Sequence, residues 1–184
     1  MERAQGNPLF LTQLLRSNAD GVAIPGTIQS VVQSRLDRLP PPDKRAVQAA
    51  AVVGQRFDLA LLRHLLDDPD YDAVPLLGRD LVQAEPEAAA RRFRFVHALI
   101  RDGAYASLLH SARRALHLRA AEWFAARDAV LAAEHLDRAG DERAPAAYLV
   151  AARAEAAALR FDSALRLAHR GGELAAMPEV AFEL

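Results

Sequence analysis

Arg92-Phe93-Arg94-Phe95-Val96 is the stretch that decides the fold. It alternates charged and apolar residues with both phenylalanines on one side, the period of a half-buried strand. Leu81 to Glu85 supplies a short partner strand, and Pro86 to Arg91 the loop between them. Upstream of this hairpin the period is helical. Ile28, Val31, Val32, Leu36 and Leu39 repeat at helix spacing behind a capping Thr27, and Pro40-Pro41-Pro42 stops that helix. The next helix runs from about Asp43 to Val53, with Gly54 as its break. Phe57-Asp58 reads as a hydrophobic staple and cap for a helix whose buried face is Leu59, Leu62, Leu65 and Leu66. After the acidic loop Asp67 to Asp72, a helix from about Ala73 to Gln83 tolerates Pro75 in its first turn. Helices leading into a two-stranded hairpin predict a winged-helix domain over residues 27–110.

Downstream the composition changes. Of 40 alanines, 24 lie after residue 111, where Gly and Pro are infrequent. Alanine costs the least entropy in a helix and lets helices approach closely. Leu116, Ala120, Trp123 and Phe124 share one face, with Trp123 and Phe124 read as the joint between winged helix and repeats. Leu131, His135 and Leu136 follow in a short helix ended by Gly140. Ala146 to Leu159 and Ser163 to Arg170 then form a pair. In it Tyr148, Ala152, Phe161 and Ala164 fall in phase with the bulky and small positions of tetratricopeptide repeats. The expected class is therefore mainly α: a winged helix with a short β-hairpin, then a tetratricopeptide-like α-solenoid over 111–184 that looks truncated.

Composition narrows the partners. The 184 residues carry a formal net charge of −1, so nothing draws the chain as a whole to nucleic acid or anionic lipid. No cysteine is present, which suits a reducing cytoplasm and removes thiolate metal ligands. No apolar run is long enough to predict a membrane span. Basic residues are 22 arginines and one lysine.

The N-terminal segment Gly6-Asn7-Pro8-Leu9-Phe10-Leu11 reads in two ways. Asn7 is a good helix N-cap and Pro8 suits the first helical position. The second way comes from a resemblance. Glu2 to Leu11, then Ile24-Pro25, Ile28 to Leu39, Ala49 to Gly54 with Phe57, and Phe93 to Tyr105 resemble, in that order, the bacterial STAND signal-transduction ATPases. Members include proteins fused to adenylate or guanylate cyclases and large LuxR-type regulators. The resemblance implies a switch. An AAA-like core binds ADP or ATP with Mg²⁺, a lid and winged helix pack on it at rest, and repeats sense a ligand or protein. It also implies that Pro8 gives apolar contact to the adenine while Gly6 and Asn7 shape the turn.

This chain departs from the family at the chemistry. A P-loop needs Gly-rich backbone and a Lys. The one lysine, Lys44, follows Pro40-Pro41-Pro42-Asp43. With the acidic Mg²⁺-binding strand also missing, residues 1–26 read as the end of a lid helix and a linker. The expected role is a regulatory segment that binds no nucleotide alone and catalyses nothing. Protein partners would dock on the repeats, and the missing core on the winged helix. A self-standing helical-repeat adaptor, or part of a full-length NTPase, cyclase or transcription regulator, are the alternatives.

Sharper readings of single residues give way to bland ones. Arg91, Arg92 and Arg94 fit a DNA-binding wing, but residues 28 to 112 balance 11 Lys/Arg against 11 Asp/Glu. Neutralised phosphates dominate DNA affinity, so direct DNA binding is not expected. Asp68, Asp70 and Asp72 open like a calcium loop, but Ala73 and Arg79 occupy the Gly and Glu positions. His97 reads as a hydrogen-bonded structural residue at a strand-to-helix junction. His110, Arg113, Arg114 and His117 read as a solvated cationic patch.

Overall fold

The structure, a computed structural model, describes residues 28–85 and 91–176. The lid-helix and linker reading of 1–26 lies outside them. The described chain is mainly helical, with one small antiparallel sheet. It divides into two compact units, one of residues 28–59 with 71–85 and 91–108, the other of 60–70 with 109–176.

The first unit begins with α1 (Ile28–Asp37) and α2 (Pro41–Val53). The proline run does stop α1, yet α2 starts inside it, at Pro41 rather than at Asp43. Proline fits the first turn because its missing N–H would have no partner there. Phe57 and Asp58 also lie in a short strand, β1 (Arg56–Asp58), that the staple reading did not include. Together β1, β2 (Val82–Ala84) and β3 (Arg92–Phe95) form a three-stranded sheet, not a two-stranded hairpin, in the order β1–β3–β2. Phe57 stands opposite Phe93, and Val82 opposite Phe95. Phe57, Phe93 and Phe95 are buried together, with the Phe57 ring 5.8 Å from Phe93 and 5.7 Å from Phe95. A strand of three residues shows no period of its own. Phe57 is drawn into the sheet by the aromatic pair it completes.

Helix α3 (Leu59–Leu66) follows β1, and α4 (Val74–Gly78) is five residues long. The longer helix expected to Gln83 stops because the chain turns through Asp80 at φ 52°. Arg35 of α1 donates to the carbonyl oxygens of Arg79 and Asp80, which fixes that turn. Arg79 in turn pairs at 3.1 Å with the largely buried Asp43 of α2. Helix α5 (Ala98–Ala106) packs on α1 and α2. Its Gly103 sits so close to α1 that a Cβ there would lie 2.7 Å from Val32 Cγ1.

The second unit stacks α6 (His110–Phe124), α7 (Ala129–Arg138), α8 (Ala144–Ala157) and α9 (Phe161–Ala176), each packed on the next. Asp128 caps α7, its carboxylate accepting from the N–H groups of Val130 and Leu131 at 3.0 Å. Much of the core is alanine: Ala133, Ala151 and Ala152 with Tyr148 and Leu167 in one cluster, Ala121 and Ala144 with Leu136 in another. At the α8–α9 crossing a Cβ on Gly171 would stand 3.0 Å from Tyr148 Cβ and 3.2 Å from the Pro145 carbonyl. Only a bare glycine lets those helices approach so closely.

Candidate functional site

Alanine packing leaves a recess in the second unit. Helix α6 contributes Leu118, Ala121 and Glu122, with Ala125 just beyond its end; α7 contributes Ala129, Ala132 and Leu136; α8 contributes Ala147 and Val150, with Arg143 just before its start. These enclose a groove of about 250 Å³. Five of the ten lining residues are alanines, whose side chains end at Cβ and so leave the space between the helices open. Two charges mark the groove. Glu122 is exposed on α6. Arg143 is held by a two-pronged bond to Asp141, Nε to Oδ1 at 2.6 Å and Nη2 to Oδ2 at 3.1 Å. That bond keeps the Asp141 carboxyl below the usual carboxylate range and raises the Arg143 guanidinium. The lining has one carboxylate, one guanidinium and an apolar floor, so it can hold an apolar side chain.

Beside the groove, α6 and α7 bury two histidines against each other. His117 and His135 are 0% and 1% exposed, and their Nδ1 atoms lie 2.9 Å apart. One ring must donate and the other accept, an arrangement that two neutral rings satisfy. Burial lowers His117 to about 3, aided by His135, Arg138 and Arg113, and lowers His135 to about 4, aided by Arg138. Phe124 stacks on His135 with rings 3° from parallel. The expected patch of His110, Arg113, Arg114 and His117 is therefore corrected. His117 is core, and Arg114 donates to the Ala139 carbonyl. The signal lay in helical phase: residues 117, 120, 121 and 124 share one face of α6, which a tally of charges ignores.

Several of the remaining candidates have structural partners. Trp123 lies 5.2 Å from the His64 ring, with the Arg127 guanidinium 4.1 Å from its centroid. Arg91 pairs with Asp72, Arg92 with Asp58, and Arg94 with the oxygen of the Gln83 amide. Asp68 and Asp72 accept backbone N–H groups of Asp70 and Val74, which makes them turn acceptors. No cluster of three or more His, Asp or Glu poised for a metal occurs among the described residues. His97 occupies the cap position of α5 without a capping bond from its side chain. Gly6, Asn7 and Pro8 lie outside the described residues. No described helix is long and apolar enough to cross a membrane. Neither a protein-family model, a curated protein nor a solved structure matches this chain.

Proposed function

We propose that the chain is the regulatory, non-catalytic segment of a STAND-type nucleotide-dependent switch in the bacterial cytoplasm. In this reading residues 27–110 are a winged helix, and residues 111–184 are a run of tetratricopeptide-like pairs that receives a protein partner. The winged-helix reading is supported by the order α2, β1, α3, α4, β2, β3 and by a sheet in which β3 runs between β1 and β2. The repeat reading is supported by four consecutively packed helices with small residues at their crossings. The observation that carries the function is the alanine-floored groove across α6, α7 and α8, a recess suited to gripping an apolar side chain. The pairing of Arg91 and Arg92 with acids argues against a phosphate-binding wing.

Two titrations test this. Calorimetry with MgATP and fluorescence anisotropy with a DNA duplex at physiological salt are both expected to stay flat. Saturable ATP binding ends the reading of a segment separated from its nucleotide site. Salt-sensitive duplex binding reassigns the winged helix to DNA. An in-frame phosphate-binding loop encoded upstream of Met1 is expected of the switch; its absence leaves an adaptor.

A further inference from the structure

We infer that His117 and His135 form an acid-released latch that fastens α6 to α7. Both imidazoles are sealed from water, and a single Nδ1–Nδ1 bond joins them across the two helices. Two neutral rings satisfy that bond, and one shared proton can still bridge it. Two protons cannot, because both nitrogens then donate and two cations face each other. Arg113 of α6 and Arg138 of α7 both act on the pair as cations that oppose protonation. The second proton therefore enters only when α6 lifts away and the rings meet water, and burial disfavours even the first.

The surrounding contacts make that opening local. Several of the residues that α6 and α7 bury besides the pair are small, Ala120, Ala121 and Ala132 among them. The joints of α7, α8 and α9 are crossed by ionic and hydroxyl contacts that contain no histidine. Asp137 of α7 accepts from the Tyr148 hydroxyl at 3.0 Å and from Arg170 Nε at 2.9 Å. Glu155 pairs with Arg160, which holds its carboxyl at about 2, so it stays ionised at pH 5. Between pH 7.5 and 5 the histidine pair changes its preferred state, and the Glu155 pair does not.

The size of the effect follows from the exposed rings. An exposed imidazole titrates near pH 6.5, so at pH 5 its protonated form outweighs its neutral form about thirtyfold. Two rings released together favour the open form by about 10³ over its population at pH 7.5.

Hydrogen–deuterium exchange on the whole chain at pH 7.5 and pH 5.0, corrected for intrinsic exchange rates, tests the latch. Protection of α6 amides is expected to fall about 10³-fold, and that of α9 amides to stay within threefold. His135→Gln leaves one imidazole and is expected to cut the α6 effect to about thirtyfold. If that variant does not fold, the two native measurements still decide. Unchanged α6 protection at pH 5 overturns the latch. So does an equal loss in α6 and α9, which is global acid unfolding.

Discussion

Replacing Gly103 with alanine tests the closest helix contact in the first unit. At an open position in a helix, glycine to alanine stabilises by about 1 kcal/mol through backbone entropy. Here the new methyl would stand 2.7 Å from Val32 Cγ1, and Leu36 Cδ1 lies 3.6 Å away. Val32 is 4% exposed and has one stiff χ1, so it cannot swing aside. Overpacking of this kind costs about 1–3 kcal/mol. The two terms leave Gly103→Ala destabilised by about 1 kcal/mol. Val32→Ala alone opens a void and costs about 2 kcal/mol. In the double variant the methyl introduced at position 103 enters that void and the entropy gain survives. The pair should therefore cost about 1 kcal/mol, well short of the sum of the singles, a coupling on the order of 2 kcal/mol. The one tryptophan, Trp123, belongs to the other unit, so its fluorescence does not follow this one. Amide exchange in α5 does, measured for all four members of the cycle. If Gly103→Ala is stabilising and the two substitutions are additive, Gly103 has no packing role against Val32.

Two further substitutions probe the helix ends of the second unit. Asp128→Ala removes the capping side chain of α7 and should cost about 1 kcal/mol in urea unfolding followed by Trp123 fluorescence. Leu159, 75% exposed, holds φ 61° just after α8. Leu159→Gly relieves that left-handed strain and should raise the urea midpoint, a gain of about 1 kcal/mol; a lower midpoint refutes the strain.

Several parts of this fold were legible in the sequence, each for an identifiable reason. The alternation of Phe93 and Phe95 gives β3 away because a strand's period is two and both rings seek one side. The proline run ends α1 for the plain reason that it lacks donors. Three features were hidden. Strand β1 has too few residues to display a period and exists because β3 offers Phe57 a partner. Helix α4 is cut short by the Arg35 guanidinium, 44 residues away from the Arg79 carbonyl it binds. The groove arises from the distance between three helices. Alanine announces a helix in the sequence, but the same letter can mean a close crossing, as Ala151 does in the core, or a vacancy, as Ala125 does in the groove.

That double use of alanine also explains why so few polar residues control the second unit. Burying a methyl contributes about 0.8 kcal/mol, against about 2 kcal/mol or more for a leucine side chain. A joint closed by alanines is dense but weakly held, so the decisive energy shifts to whatever polar contacts cross it. At α7–α8–α9 these converge on Asp137, which binds both Tyr148 and Arg170. Burial and the Asp137 bond together push the Tyr148 phenol up to about 12, so this joint stays closed across the physiological range. At α6–α7 Arg114 bonds the Ala139 carbonyl, and beside it a pair of imidazoles crosses the joint and answers to pH. Neighbouring joints with the same alanine packing thus differ in what opens them, because the residues that set them apart are polar and single.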